Sequence, residues 1–432
     1  MQVNIHNKIK KTFGKLSRLA ETLIGSEIVR LGADIKEKIK SGEKIYNFTI
    51  GDFDSSIFPI PKKLEQEIID AYHNKKTTYP PAEGILTLRE SVSKFIKERE
   101  GLQYEVNEIL IAAGGRPLIY SLYRAVVDRD DKVIYSVPSW NNNHYVHFVE
   151  GAHIVIETDA ENNFMPTAKD IEPHLKDAVL IALCSPLNPT GTVFQKEELE
   201  AICDLVLAEN MRRTEEEKKL YVMYDQMYWT LTYGDSRHYN PVGLRPAMKD
   251  YTIFIDGISK AFAATGVRVG WALGPQHVLD KMRAINSHVG AWSPMAEQNA
   301  TAKFLMESKA VDEYIMPFKK ELEERLQLIY KGFQQLKSEG FSVDACAPQA
   351  AIYLTIQLNL AGKMNAENGE ILATQVDVTA YILNEAKLAV VPFYAFGASK
   401  NSSWYRLSVG TCKTEEIPEM LEKLRSALSK LA

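Results

Sequence analysis

The sequence predicts an α/β fold whose large domain is a mostly parallel sheet covered by helices. From about residue 105 to residue 275, short apolar runs typical of strands alternate with segments of helical periodicity. Turn-rich polar motifs follow several of these runs, and open α/β sheets bind their ligands at the carboxyl ends of the strands. Beyond residue 275 the pattern is mostly helical, with three further apolar runs. These predict a smaller α+β domain built from both chain ends.

Length and composition indicate an ordinary two-domain globular protein. The chain has 432 residues, of which 45% are hydrophobic and 25% charged. We expect residues 1–48 to form an arm and the N-terminal part of the small domain. Residues 49–305 are expected to form the large domain, and residues 306–432 the small C-terminal domain.

Charge and cysteine usage narrow the classes of partner. The net charge of −5 gives no electrostatic reason to expect nucleic acid or an anionic membrane. The four cysteines are scattered, with neither metal-ligand spacing nor a disulfide framework, which favours a reducing cytoplasm and no metal. The basic N-terminus lacks the apolar core of a signal peptide, and no run reaches transmembrane length. We therefore expect a cytoplasmic protein.

Some element predictions follow from periodicity alone. The pattern predicts one amphipathic helix from about Ser17 to Lys40 and a charged, solvated surface segment from Asn210 to Lys219. It predicts helix from about Met295 to Gly340, interrupted at Pro317 because proline cannot donate a backbone hydrogen bond.

The stretch around Ser259-Lys260 is the central motif. An apolar run predicts a buried strand before it, the two residues are expected in a loop, and Val269 to Leu273 predicts a further, antiparallel strand. A lysine at a strand end can be desolvated, which lowers its pKa and makes the amine nucleophilic. Such an amine forms Schiff bases with carbonyls, including the aldehyde of pyridoxal 5′-phosphate (PLP). Ser259 and Arg268 could hold the phosphate of that cofactor. Taken alone, Ser-Lys is more typical of a surface loop.

Ser259-Lys260 followed by Gly266-x-Arg268-x-Gly270 resembles the cofactor-lysine motif of class I/II aminotransferases, the aspartate aminotransferase-like PLP enzymes of fold type I. Further motifs stand in the family's order, and the resemblance runs from about Ser17 to the C-terminus. The motifs are Tyr79…Gly84, Gly114-Gly115, Trp140, Asn188-Pro189-x-Gly191, Asp225-x-x-Tyr228 and Ser259-Lys260…Arg268, with Arg406 after them. Each motif has an ordinary structural explanation, so it is their joint occurrence that favours the family.

The Gly114-Gly115 turn lies between a predicted strand and a predicted helix. The turn and the helix N-terminus offer backbone N–H groups to an anion. The spacing matches neither Gly-x-Gly-x-x-Gly nor the Walker motif, which argues against a nucleotide. The resemblance makes this turn the PLP phosphate cradle. Arg116, next in the chain, either tops the cradle, faces water or binds a distal substrate carboxylate, as a lysine at that place does in part of the family.

Other polar residues at strand ends suit an aromatic cofactor. A flat ring could stack on Trp140, and a protonated pyridine nitrogen could pair with Asp225. A core tryptophan and a helix-capping aspartate are the alternatives. The resemblance places Trp140 on the cofactor ring, Asp225 at the ring nitrogen, and Asn188 and Tyr228 at the ring oxygen. Trp140 and Asn188 are also expected to contact the substrate.

The remaining site residues concern the substrate and a second subunit. An arginine on a strand that the pattern indicates as buried needs a carboxylate, and the resemblance gives Arg406 the α-carboxylate of the substrate. It places Gly51 at the substrate entrance. It also implies a homodimer with shared active sites, in which the hydroxyl of Tyr79 binds the partner's cofactor phosphate.

The implied activity is that of a PLP-dependent aminotransferase. It would move an amino group from an L-amino acid, with aspartate and glutamate as candidates, to a 2-oxo acid. Lys260, Asp225 and Tyr228 are its predicted catalytic residues, and Lys260 transfers the Cα proton. A C–S β-lyase or another PLP enzyme of this fold could use the same residues. A non-catalytic PLP-binding regulator is disfavoured, since we expect the few residues before Ser17 to leave no room for a DNA-binding module.

Overall fold

The computed structural model describes residues 16–23, 25 and 27–432. Most of the basic N-terminus lies outside these residues. The strands are β1 (Tyr46–Asn47), β2 (Ile109–Ala112), β3 (Lys132–Val137), β4 (Ala152–Glu157), β5 (Ala178–Cys184), β6 (Tyr221–Asp225), β7 (Thr252–Gly257), β8 (Gly270–Leu273), β9 (Val343–Ala345), β10 (Tyr353–Leu358), β11 (Leu388–Ala389), β12 (Val391–Pro392) and β13 (Trp404–Ser408).

The helices alternate with these strands through the first two thirds of the chain. They are α1 (Arg18–Thr22), α2 (Glu27–Lys40), α3 (Lys62–His73), α4 (Leu86–Glu100), α5 (Gly115–Val126), α6 (Asn142–Val149), α7 (Ala168–Ile171), α8 (Lys196–Arg212), α9 (Pro241–Leu244), α10 (Ile258–Ala261), α11 (Gln276–Val289), α12 (Met295–Met306), α13 (Ser308–Ser338), α14 (Gln375–Glu385) and α15 (Ile417–Ser429).

The large sheet has seven strands in the order β2-β8-β7-β6-β5-β3-β4. Strand β8 is antiparallel to both of its neighbours, and the remaining pairs are parallel. The predictions of a mostly parallel sheet and of an antiparallel β8 are confirmed. Asp225 at the end of β6 lies beside Cys184 of β5 and Ile255 of β7, so the carboxyl ends of these strands meet at one edge.

Both faces of the large sheet are buried along its central strands, whereas the edge strand β4 is partly exposed. Along β6, Val222 and Tyr224 face one apolar cluster and Met223 faces another, as the two-residue repeat of a strand requires. Helices α4, α8 and α12 contribute to the first cluster, and α5 and α11 to the second. Burial on both faces explains why these strands are continuous apolar runs in the sequence.

A second, antiparallel sheet has the order β12-β13-β10-β9, and β1 pairs with β11 from the far end of the chain. A third apolar cluster contains Tyr46 and Phe48 together with residues of α13, β10 and α15. Segments from both ends of the chain therefore pack together. The division at residues 48 and 305 stays a prediction.

The predicted single N-terminal helix is wrong. Helix α1 ends at Thr22, where Leu23 takes an extended conformation, and α2 begins at Glu27. Gly25, in the connection, has a low helix propensity. Leu23, expected on the apolar face of one long helix, is 42% exposed.

The predicted interruption at Pro317 is also wrong, because α13 continues through it. The break lies instead at Glu307, between α12 and α13. A proline inside a helix removes one hydrogen bond, but buried residues on both sides of Pro317, among them Ile315 and Phe318, fix α13 to the core. Tertiary packing here outweighs the local preference.

The segment from Asn210 to Lys219 is only partly the solvated surface that its charges indicate. Asn210 and Arg213 are buried. The amide of Asn210 donates to the Leu220 carbonyl and accepts from the Leu220 N–H, which pins the start of the segment to its end. The charged side chains of Glu215 and Glu216 are exposed, as predicted.

Candidate active site

One cavity of about 350 Å³ lies at the carboxyl edge of the large sheet. Most of the predicted site residues line it: Gly51, Gly115, Arg116, Trp140, Asn188, Asp225, Tyr228, Ser259, Lys260, Arg268 and Arg406. Further lining residues that the sequence did not single out include Asp52, Cys184, Met227, Thr265 and Tyr353. Strands β5, β6 and β7 and the segments that follow them supply most of the polar groups.

Lys260 lies on α10, a single helical turn after β7, and not in the predicted loop. Its Nζ donates to the Gly51 carbonyl at 2.6 Å. Burial lowers the pKa of this amine to about 8, and the nearby positive charges of Arg406, Arg116 and Arg268 act in the same direction, while Asp52 opposes them. Near neutral pH the uncharged, nucleophilic form of Lys260 is therefore more populated than in an ordinary lysine.

Asp225 ends β6 and points into the same cavity. Burial raises the pKa of its carboxyl to about 6, against one backbone hydrogen bond that Oδ1 accepts from Met227 N at 3.1 Å. Among the described residues it has no cationic partner within ion-pair distance. A buried carboxylate so placed favours a cationic ligand group beside it.

Arg406 lies on β13 with only 2% of its surface exposed. Its guanidinium is sandwiched between the rings of Tyr353 and Phe396, at 4.7 and 4.9 Å from their centres. It donates from Nη1 to Asn188 Oδ1 at 3.1 Å and from Nη2 to the Thr49 carbonyl at 2.7 Å. Within the described chain Nε has no hydrogen-bond partner, and no carboxylate pairs with the group. This is a prepared anion site.

Arg268 and the glycine turn form a second cationic corner. The guanidinium of Arg268 donates to the carbonyls of Thr265 and Ala113, at 2.6 and 2.7 Å. Gly114 has a φ of +86°, and a Cβ there would lie 2.3 Å from Arg268 Nη2. No other residue fits, so the turn can hold the arginine against the N-terminus of α5. Gly114 itself supports this corner from behind, since it is Gly115 that lines the cavity.

Arg116 lies in the first turn of α5, over the ring of Trp140. Its guanidinium carbon is 4.7 Å from the ring centre, a cation–π contact. In the described part of the chain it makes no hydrogen bond or ion pair, and it is exposed. Arg116 is thus a cavity cation whose donors are open to a ligand.

Tyr79, like Gly114, is a predicted site residue that does not line the cavity of its own chain. Its side chain is 84% exposed and packs edge-on against Trp292, with ring centres 5.2 Å apart. An exposed tyrosine held by an aromatic neighbour suits a contact with another molecule.

These groups fit the cofactor that the sequence motifs indicate. A phosphate suits Arg268, Ser259 and the N–H groups after Gly114; a pyridine nitrogen suits the buried Asp225. The uncharged fraction of Lys260 suits an aldehyde, and the unpaired Arg406 Nε leaves a donor for a carboxylate. In the described residues no His, Cys, Asp and Glu group is arranged to hold a metal ion, and no helix is long and apolar enough to cross a membrane.

Comparison with known proteins decides the family. The family model described as aminotransferase class I and II matches residues 43–424. The chain belongs to the class I and II aminotransferases. It is a PLP-dependent aminotransferase by family, and its fold is that of the fold type I enzymes.

Individual relatives of this aminotransferase cover nearly the whole chain. An aspartate aminotransferase of Geobacillus stearothermophilus is 28% identical over 400 residues, which are 92% of this chain and 95% of the relative. The crystal structure of the aspartate aminotransferase from Rhizobium meliloti superposes with a TM-score of 0.87 at 27% identity, covering 97% and 100% of the two chains. The Thermus thermophilus aspartate aminotransferase with maleate gives 0.84 at 26% identity, covering 96% and 100%.

Two of the cavity residues that sequence reasoning missed make direct contacts with other residues of the site of this aminotransferase. Tyr353 bonds Tyr228 through its hydroxyl, but in the sequence it is one tyrosine inside an apolar run that becomes β10. No local signal marks it. Asp52 accepts from Thr265 Oγ1 at 2.7 Å and raises the pKa of Lys260. Its position directly after Gly51 was a usable signal.

Proposed function

We propose that this aminotransferase holds PLP on Lys260 and transfers the amino group of an L-amino acid, preferably an acidic one, to a 2-oxo acid. The observation that carries the proposal is Lys260, a half-buried amine whose pKa is lowered to about 8 in a cavity that also contains Asp225 and Arg406. An amine in that state is nucleophilic near neutral pH, and the two other groups accept a cationic ring and an anionic substrate.

The cofactor would be held by residues of the strand ends. Arg268, Ser259 and the backbone of the Gly114-Gly115 turn would bind the phosphate, with the N-terminus of α5 adding its dipole. Asp225 would hold a proton on the ring nitrogen. When bound, PLP supplies an aldehyde that captures the amino group and a ring that takes up electrons from Cα.

The substrate would meet residues on both sides of the cavity. The guanidinium N–H groups of Arg406 would bind the α-carboxylate, since the guanidinium lies against two rings and lacks a carboxylate of its own. Lys260 Nζ would accept the proton from the substrate Cα and return it as the general acid. Packing of Phe53 within 5.6 Å of Nζ would shield this proton transfer from water.

Arg116 supports the preference for acidic donors. Its open N–H groups in the cavity can take a second carboxylate by two parallel hydrogen bonds. The relatives named aspartate aminotransferase act, by name, on such a substrate.

We further propose a homodimer, working in the cytoplasm. Tyr79 is exposed at a surface pocket that it shares with Trp292, and in the proposed dimer its hydroxyl would bind the cofactor phosphate of the second copy. The four free thiols suit a reducing compartment. Sedimentation of the active enzyme tests the assembly, since a fully active monomer would rule out shared sites.

The central test is a half-reaction with Lys260→Ala. The PLP-loaded enzyme is mixed with glutamate, aspartate or leucine, and the cofactor absorbance is followed without a 2-oxo acid. We expect the unsubstituted enzyme to convert its PLP to the aminated cofactor. Lys260→Ala should lose nearly all of this conversion but should still bind PLP through the phosphate contacts.

A matched control is Lys319→Ala. Lys319 lies on α13, outside the cavity, and burial lowers its pKa as well. Its replacement should leave conversion unchanged. Wild-type turnover in Lys260→Ala would refute the mechanism, and release of pyruvate and ammonia from cystathionine without any 2-oxo acid would indicate a C–S lyase.

A further inference from the structure

A pair of phenols forms part of the cavity wall. Tyr228 follows β6 and Tyr353 begins β10, and their hydroxyl oxygens are 2.5 Å apart. Both side chains are buried, with 4% and 1% of their surfaces exposed. This distance is that of a strong O–H···O hydrogen bond. The bond joins the edge of the large sheet to the four-stranded sheet.

Counting protons fixes what this pair can do. Burial raises the pKa of both phenols, so each hydroxyl keeps its proton at neutral pH. Two protons and one shared hydrogen bond leave one O–H without an acceptor. Within the described chain neither hydroxyl has another hydrogen-bond partner. The spare O–H is therefore available to a ligand in the cavity.

We propose that Tyr353 is a positioning residue of the active site, whose hydroxyl donates to Tyr228 and so directs the Tyr228 O–H at the cofactor's ring oxygen. This inference rests on the proposed function, in which Tyr228 lies beside that oxygen. If the Tyr228 O–H donates its hydrogen bond to the ligand, the Tyr353 O–H must be the donor in the hydrogen bond between the two phenols. Tyr353 then acts through Tyr228 and has no need to touch the cofactor.

The surroundings of Tyr353 hold its hydroxyl in one place. Its ring lies under the guanidinium of Arg406, 4.7 Å from the ring centre. On another side is Gly51, where a Cβ would come within 2.9 Å of the Tyr353 hydroxyl. The absence of a side chain at Gly51 thus makes room for the phenol. One tyrosine thereby serves two subsites: its hydroxyl orients Tyr228, and its ring lies at the carboxylate-binding arginine.

The hydroxyl and the ring have separable effects. A phenol that accepts one hydrogen bond becomes a stronger donor in the next, so Tyr353 strengthens the contact from Tyr228. That contact stabilises negative charge on the ring oxygen and favours loss of the proton from the nitrogen joining Lys260 to the cofactor. Without the Tyr353 hydroxyl, the pH midpoint of this proton loss should rise by about 0.5 to 1 pH unit.

The experiment compares Tyr353→Phe, Tyr353→Leu and the control Tyr233→Phe in the PLP-loaded enzyme. Tyr233 is also buried, and its hydroxyl donates to the Ala351 carbonyl away from the cavity. The readouts are the pH midpoint of the cofactor absorbance, the KM for the donor and the thermal unfolding midpoint.

Tyr353→Phe should raise the pH midpoint and leave KM within about twofold, because the ring under Arg406 is kept. Tyr353→Leu should raise both the midpoint and, by about tenfold, KM, since the cation–π contact is lost as well. Tyr233→Phe should change the unfolding midpoint at most.

Two results would overturn the inference. One is an unchanged pH midpoint in a folded Tyr353→Phe enzyme, and the other is an equal shift in Tyr233→Phe. Failure of the unsubstituted chain to take up PLP or to convert amino acids would instead refute the proposed function, and this inference with it.

Discussion

Two buried arginines in this chain have opposite surroundings. Arg213, 7% exposed, donates to Glu209 and to the carbonyls of Leu175, Ala178 and Lys218. Arg406, 2% exposed, has two donors occupied by neutral oxygens, and its Nε has no partner among the described residues. A buried guanidinium that is fully paired holds structure together, whereas one left short of partners marks a binding site.

The electrostatics of the two sites show the same difference. Hydrogen bonds from Arg212 and Arg213 lower the pKa of Glu209 to about 2, so the charge of Arg213 is balanced inside the protein. Burial lowers the pKa of Arg406 from its ordinary value, because no anion of the described chain offsets the loss of water. A substrate carboxylate would supply that anion. The free energy cost of burying Arg406 is then recovered on binding.

The largest expected effect belongs to Arg406→Leu. Leucine can fill the space between Tyr353 and Phe396, but it cannot bind a carboxylate. We expect kcat/KM to fall by an amount that corresponds to about 5 kcal/mol of lost transition-state stabilisation. This is the upper range for removing one partner of a desolvated charge pair. The free energy of unfolding should stay level or rise, because an uncompensated buried charge is removed.

Steady-state kinetics and urea unfolding of the same preparation test whether Arg406→Leu lowers activity without lowering stability. A loss of activity that is matched by a loss of stability would show that Arg406 is structural, like Arg213.

Arg213→Leu should show the reverse pattern. It removes one hydrogen-bond donor from each of the buried carbonyls of Leu175 and Ala178 and weakens the pairing of Glu209. We expect unfolding to become easier by about 3 to 4 kcal/mol, the range for breaking a buried ion pair. The folded fraction should keep its kcat/KM, since Arg213 does not line the cavity. Reduced kcat/KM with unchanged urea unfolding would contradict the comparison.

The same contrast explains which residues the sequence could reveal. Lys260, Asp225 and Arg406 are charged residues in or beside apolar runs. A charged residue in such a position can be recognised from the sequence alone. Tyr353 suits a strand by its own propensity, so nothing in the sequence separates it from a core tyrosine. Its role appears only when β10 and β6 are brought together.

Fold prediction failed where tertiary contacts outweigh local composition. Arg213 lies in a highly charged segment, which favours exposure to solvent, yet it is buried against carbonyls just before and at the start of β5. Pro317 favours a break, yet α13 continues because both of its halves pack on the core. The alternation of strands and helices was predictable because the central strands of the large sheet are buried on both faces.

The smallest expected effect concerns Arg116, which is neither fully paired like Arg213 nor buried like Arg406. It has a cation–π contact and no hydrogen bond in the described chain, and unlike Arg406 it is exposed. Water therefore screens its charge, and the lower end of the range for a charge pair applies. Arg116→Leu should lower kcat/KM for glutamate or aspartate by an amount that corresponds to about 2 kcal/mol of lost transition-state stabilisation. The kcat/KM for leucine should change much less.

Arg124→Leu is the matched control for this selectivity. Arg124 lies on the same helix, α5, is also exposed and does not line the cavity. Its replacement removes one positive charge near the site without removing a cavity donor, so both donor classes should keep their kcat/KM. Equal losses for acidic and apolar donors in Arg116→Leu would show that Arg116 supports the cofactor site. A loss confined to acidic donors in Arg116→Leu but not in Arg124→Leu would mean that the open guanidinium over Trp140 selects the second carboxylate.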